Sequence, residues 1–368
     1  MIKLSFCIPV YNQVELVKQC IESIIGYKGD DIEIIVNDDG SAQDIEGMVK
    51  HFHDNRIRYY RNRENVGHDI NIIRAFQNAG GCFAFLLRSR DKMISENIPY
   101  ILQEIDKNPK AAYITGSAVD DRGEIAIQYK KKLCKKGKDT LAAHDRLFIH
   151  PSGSAYRIDM LHLPEMEDLI EKIPDKKHAF VVHTLCRLEL SQAGDFCFIR
   201  PFIWVYSNTG RAVDQAVNAL ENRESVYSPR LQMERFQCEM RWCRQMVEES
   251  LRMDEYTAIY KRYLEGCTWS YKLRNKDKQM QRHYNYVSVR VHIKGERDAF
   301  TAYSRELEKE VLTEEERKQF SEIKRNLMNE SRTKGMARYY LLSLIKGLGL
   351  TYFMNQVNIR WRYNKRFK

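Results

Sequence analysis

The first 130 residues alternate between two hydrophobic periods. "LSFCIPV" is apolar almost without a break, and "QVELVKQCIESII" after it places Val14, Val17, Ile21, Ile24 and Ile25 at helical spacing. "IEIIVN" is a second apolar run closed by "DDGS", where Ser41 and Asp44 predict a helix start. "RIRYYR" alternates, "DINIIRAFQNAG" returns to the helical period, and "CFAFLL" reads as a strand buried on both faces. "SENIPYILQEID" and "AAYITGS" continue the pattern. Asn12, with Glu15 three residues on, is expected to cap the first helix. Near-continuous apolar strands separated by short helices predict an α/β unit, a mostly parallel sheet with helices on both faces.

The pattern changes after "FCFIRPFIWVYS". Residues 1–210 hold 20 Gly or Pro and residues 211–368 only six, so long segments such as "RLQMERFQCEMRWCRQMVEESLRMDEYTAIYKRYLEG" read as helix. A boundary is expected near Asn208–Gly210, giving an α/β domain over 1–209 and an α-helical domain over 210–368.

Composition changes this picture little. A hydrophobic fraction of 43% and a charged fraction of 30% are those of an ordinary globular protein. Nine cysteines without a C-x-x-C pair suggest a reducing compartment and no structural metal. The apolar run Leu4–Val10 is too short for a secretory leader, and no stretch is long enough to span a membrane, so a cytoplasmic location is expected. The net charge of +10 belongs to one segment: Ser331 to Lys368 has nine basic and no acidic residues, against 51 and 50 elsewhere. Charge so confined argues against a nucleic-acid-binding protein. Leu341, Leu344, Ile345 and Leu348 fall on one helical face ahead of Arg360, Arg362, Lys365, Arg366 and Lys368. This basic amphipathic tail suits peripheral attachment to an anionic membrane surface, with docking on the protein's own body as the alternative.

The polar clusters of the first domain all follow strands, so they should gather on one rim of the sheet, where α/β proteins bind ligands. Pro9, Tyr11 and Asn12 follow the first strand, Asp38, Asp39 and Gly40 the second, Asn65 and Gly67 the third, and Arg88, Ser89, Arg90 and Asp91 the fourth. An aromatic face beside a carboxylate suits a nucleobase; cations and a metal-binding carboxylate suit a pyrophosphate.

"LSFCIPVYN", "IEIIVNDDGS", "RIRYYRNRENVGHDINIIRAFQNAGG" and "CFAFLLRSRDKM" resemble, in order and spacing, the family-2 glycosyltransferases of GT-A fold, well over residues 3–130 and loosely over 140–208. The resemblance implies a nucleotide-sugar half over about 1–130 and an acceptor half over about 131–209. It places Tyr11 beside a uracil or other base in a pocket closed with Pro9, and makes Asp39, with Asp38 alongside, the acceptor for the base N–H. It brings Asn65, Gly67 and Asn71 to the ribose and phosphates. The family's D-x-D appears as Ser89-Arg90-Asp91, which keeps the final acid. Asp91 is thereby the expected ligand of Mn²⁺ or Mg²⁺, with Arg90 or Arg88 adding charge beside the diphosphate. The base that deprotonates the acceptor is sought in "IPDKKHAFVVHTLCRLELSQAG", where Asp175, His178 and His183 are the candidates, and Ser152 and Ser154 are candidates to line the acceptor pocket. The implied activity is transfer of a sugar from a nucleotide-sugar, UDP-linked, to an acceptor hydroxyl by inverting displacement. The implied setting is cell-surface polysaccharide or lipid-linked oligosaccharide synthesis. The competing reading is a catalytically inactive nucleotide-sugar-binding module of an assembly complex; self-association is left open.

Overall fold

The computed structural model describes residues 2–130, 133–146, 150–174, 177, 180–207, 229–274 and 286–328. The base candidates Asp175 and His178, the expected boundary at 208–210 and the basic tail from 331 lie outside these residues. The chain folds as two compact units, residues 1–247 and 248–368.

The first unit is built on β1 (Leu4–Val10), α1 (Val14–Ile25), β2 (Ile32–Asp38), α2 (Ile45–Lys50), β3 (Ile57–Arg61), α3 (His68–Gln77) and β4 (Phe83–Leu86). β1 pairs in parallel with both β2 and β4, and β2 with β3. β1, β2 and β4 are almost wholly buried, which explains their unbroken apolar runs. β5 (Lys92–Met93), α4 (Ile98–Lys107) and β6 (Ala111–Asp120) follow; then come β7 (Ile125–Ile127), β8 (Leu133–Cys134), α5 (Lys138–Arg146) and β9 (Ser154–Arg157). α6 (Leu163–Glu171), α7 (Val182–Ala193) and β10 (Asp195–Tyr206) complete the sheet, whose order is β3-β2-β1-β4-β9-β6-β10-β5.

Antiparallel pairing enters the sheet with β5, β7, β8 and β9. β9 lies antiparallel between β4 and β6, with Leu86 opposite Ser154 and Thr115 opposite Ser154 on the other side. Ser154 is thus a strand residue, its hydroxyl bonded to Thr115 and Tyr113 and buried, so it does not line an acceptor pocket. Four residues are too few to show a strand period, and Gly153 at φ 86° marks the turn into them.

A further helix, α8 (Pro229–Met246), packs against α7 within the first unit. The fall in Gly and Pro marks where helices take over, whereas the division between units follows Val247. The second unit holds α9 (Glu249–Arg274), α10 (Tyr286–Val311) and a helix over 314–328. Its described core gathers Tyr256, Tyr260, Phe300 and Phe320. Thr313 and Glu316 exchange side-chain-to-backbone bonds at the start of the last helix, a capping box. Among the described residues no helix is long and apolar enough to cross a membrane.

Candidate functional site

The parallel register of β1 and β2 sets Val10 opposite Asp38, so the two strands end together and the chain after each meets the other. Asp39 N donates to Val10 O at 2.8 Å. Asn12 N donates to Ser41 Oγ at 2.7 Å, and Asn12 Oδ1 accepts from Ala42 N at 3.0 Å. Asn12 therefore pins the DDGS turn and does not cap α1, whose N-cap is Gln13 without a side-chain bond. Asn12 and Gln13 both adopt left-handed φ, 60° and 63°. Two such residues in succession are costly, and backbone of this kind concentrates at functional sites. Tyr11, just ahead of them, is 37% exposed on the rim. Pro9 is half-buried within β1.

The two aspartates do different work. Asp38 is wholly buried: Oδ1 accepts from Ser41 N, and Oδ2 from Tyr59 Oη and Arg61 Nη1, both at 2.6 Å. It ties the turn to β3. Asp39 holds the turn before α3, with Oδ1 accepting from Asn62 Nδ2 and Val66 N at 2.9 Å and Oδ2 from Gly67 N at 3.0 Å. A carboxylate offers about four lone pairs, and three here are filled, which leaves one on Oδ2. Burial raises the Asp39 pKa from its ordinary value; the bonds from Val66, Asn62 and Gly67 oppose that rise.

Asn62 is the hub that the sequence reading passed over. Its Nδ2 reaches both Asp39 and Asn71 Oδ1, and its Oδ1 accepts from Arg74 Nη1 at 3.0 Å. Its position directly after β3 was the available signal. Asn71, expected at the ribose, is buried and spends its amide on Asn37 and the backbone of β2. Asn65 stays half-exposed on the turn. Gly67 needs to be glycine twice over. Its φ is 98°, and a Cβ there would lie 2.4 Å from Lys177 Cα. Gly67→Ala should therefore cost about 1–3 kcal/mol, read as a lower denaturation midpoint with an unchanged denaturant slope.

At the end of β4 the chain turns through Arg88, Ser89 and Arg90 to Asp91. Asp91 is 0% exposed; Oδ2 accepts from Arg88 Nε at 2.9 Å and Ser152 Oγ at 2.6 Å, and Oδ1 from Ser207 N at 3.1 Å. Arg88 also contacts His150 Nε2 and lies over the Tyr206 ring. Ser152 and Ser207 thus close the Asp91 site from two later parts of the chain. Ser207 was legible only as a polar residue ending an apolar strand. Ser89 is half-exposed and Arg90 buried. Among the described residues no three His, Cys, Asp or Glu side chains come together as a metal set. Asp91, expected as the Mn²⁺ or Mg²⁺ ligand, is instead enclosed by a guanidinium, a hydroxyl and an amide. Three donors fill three of the carboxylate's lone pairs, as at Asp39, and no step below runs through a metal ion.

The segment leading into α7 meets the same rim. Phe180, at φ 53°, packs its ring 4.5 Å from that of His68, and the Arg235 guanidinium lies over the Phe180 ring, 6.0 Å from its centroid. Val181 N donates to Asp69 Oδ2 at 2.8 Å, joining this segment to the first turn of α3. His183, the described base candidate, is 3% exposed, and neither ring nitrogen has a hydrogen-bond partner among the described residues. Burial, then the charge of Arg187, holds its pKa well below 6.5, so the ring is neutral. Unfolding frees it to take a proton. Stability should therefore be full above about pH 6.5 and fall as the pH drops below it. His183→Gln should flatten that limb of a pH-stability curve.

These features define an α/β domain whose sheet rim presents an exposed aromatic ring, a carboxylate with one vacant lone pair, a glycine turn and cations. Residues 5–163 match the family model for glycosyl transferase family 2, and this part of the chain is a domain of that family. Over 160 residues the chain is 27% identical to a GalNAc(5)-diNAcBac-PP-undecaprenol beta-1,3-glucosyltransferase of Campylobacter jejuni, covering 42% of this chain and 51% of that protein. Over 108 residues it is 30% identical to the abequosyltransferase RfbV of Salmonella typhimurium, covering 28% of this chain and 32% of that one. The chain thus spans about half or less of these relatives' lengths. A crystal structure of Staphylococcus aureus TarS 1-349 overlaps it at 12% identity and a TM-score of 0.47, over 83% of this chain and 92% of that one.

Proposed function

We propose that this chain is a glycosyltransferase that moves a sugar from a nucleotide-sugar, UDP-linked, to a hydroxyl of a glycan or lipid-linked acceptor. The observation that carries the reading is the pairing of exposed Tyr11 with Asp39, whose Oδ2 keeps one lone pair beside the glycine turn. A planar base stacked on Tyr11 can donate its ring N–H to that lone pair, and the amides around Gly67 lie next to the sugar-phosphate that follows. The acceptor oxygen attacks the anomeric carbon, the bond from that carbon to the diphosphate oxygen breaks, and the hydroxyl proton passes to a base. Inversion follows from the single displacement. The diphosphate leaves with the electron pair, and its developing charge faces Arg88 and Arg90 at the end of β4.

The relative from Campylobacter acts on an undecaprenol-linked diphosphate glycan by its name, which favours a lipid-linked acceptor and a reaction at a membrane surface. The enclosed Asp91 favours a second reading, a domain that binds nucleotide-sugars without transferring them. Incubation with a panel of UDP-sugars and detection of free UDP separates the two. Transfer predicts UDP release that rises with a lipid-linked glycan acceptor; the second reading predicts binding without release.

A further inference from the structure

α3 begins where the glycine turn ends, and its first two residues, His68 and Asp69, form a coupled pair. Asp69 is 0% exposed. Its Oδ2 accepts from Val181 N at 2.8 Å, and its Oδ1 faces His68 Nδ1 at 2.9 Å. An ionised carboxylate only accepts, so Nδ1 carries the proton of the neutral ring and the lone pair lies on Nε2. The Phe180 ring packs 4.5 Å from the same imidazole. The His68 side chain keeps 20% of its surface in solvent, and Nε2 makes no hydrogen bond among the described residues. A wholly buried carboxylate thus orients one solvent-reached ring and leaves its basic nitrogen open.

The ring stands between two parts of the rim. On one side is Gly67, whose N–H is bonded to Asp39 Oδ2; on the other are Phe180 and Val181, which lead into α7. The other titratable groups of this rim are spent or unplaced. Asp38, Asp39 and Asp91 each accept three bonds. His150 meets Arg88 through Nε2 and Ser152 N through Nδ1, and His183 is buried. Glu64 lies exposed on the turn, with no partner among the described residues to hold it. We propose that His68 is the catalytic base of the transfer and that Asp69 is its positioning residue. The inference rests on the glycosyltransferase reading. Nε2 takes the proton of the acceptor hydroxyl as that oxygen bonds to the anomeric carbon. The bond from that carbon to the diphosphate oxygen breaks, and UDP leaves with the electron pair. The imidazolium, steadied by the Asp69 carboxylate, then gives its proton to water.

The test uses the full chain with a panel of UDP-sugars and a lipid diphosphate-linked glycan, and follows UDP release. His68→Ala should lower kcat by about 10²–10⁴-fold. The KM for the UDP-sugar, and UDP affinity by calorimetry, should stay within about threefold of wild type. Added imidazole should restore part of the His68→Ala rate and leave wild type unchanged, a response that a merely structural ring would not give. His68→Gln keeps a donor for Asp69 but has no basic nitrogen, so it should fold and bind UDP like wild type and be as slow as His68→Ala. Asp69→Asn should lower kcat by a smaller factor with KM for the UDP-sugar unchanged, and imidazole should not rescue it. A folded His68→Gln protein within about tenfold of the wild-type kcat, or a His68→Ala loss that imidazole leaves untouched, overturns the proposal while the glycosyltransferase reading stands. A wild type that releases no UDP from any of the sugars fails that reading, and the base role falls with it.

Discussion

Asp39→Ala should weaken UDP by about tenfold to a hundredfold and lower the stability of the first unit by about 3 kcal/mol. Both effects come from one side chain. In the proposed site its removal takes the acceptor from the base N–H, and it leaves Val66 N, Gly67 N and Asn62 Nδ2 without the oxygens they now share. Uridine should lose as much affinity as UDP, because the lost bond is to the base. A pH series adds a second check. Burial raises the Asp39 pKa above 3.8, so its contribution to stability is full below that value and is lost as the pH climbs through the raised one. Asp39→Asn, which cannot ionise, should remove that slope. Equal UDP affinity in a folded Asp39→Ala protein would remove Asp39 from the base site.

Arg88→Ala should be the most destabilising single change at the end of β4, about 3 kcal/mol. It strands the Asp91 carboxylate, which is wholly buried and among the described residues keeps Ser152 and Ser207 as donors. The double variant Arg88→Met with Asp91→Asn should recover much of the loss, because no buried charge is then left unpaired. A double-mutant cycle in urea measures this, and additive losses would show that the pair is not coupled. Arg88→Ala should also weaken UDP more than uridine, since the proposed site sets its charge against the diphosphate and not the base.

Much of this fold was legible because β1, β2 and β4 are buried on both faces and their apolar runs stand out against the helices between them. The rim was legible for the same reason: each strand ends abruptly in polar residues. The roles of those residues were not. Asp38 and Asn12 are polar residues at strand ends like Asp39, and Asn71 lies in the first turn of α3, yet all three tie turns together, because a rim of converging loops needs internal acceptors as much as it needs ligand contacts. Which residue faces inward depends on pairings such as Asn62 with Asp39, or Ser207 with Asp91, that join distant parts of the chain. β9 was hidden by its length of four residues. The burial of Arg187, 1% exposed within α7, is not visible in a helical pattern of charges.

The central claim is that this rim delivers a sugar from a nucleotide donor. The most direct test offers the purified chain a panel of UDP-sugars with a lipid diphosphate-linked glycan and follows the acceptor by mass spectrometry. The account predicts that one UDP-sugar adds a single sugar residue to the acceptor with equimolar UDP released, and that Tyr11→Ala and Asp39→Ala both suppress the gain. An acceptor of unchanged mass, from a folded protein that binds none of the UDP-sugars, would contradict it.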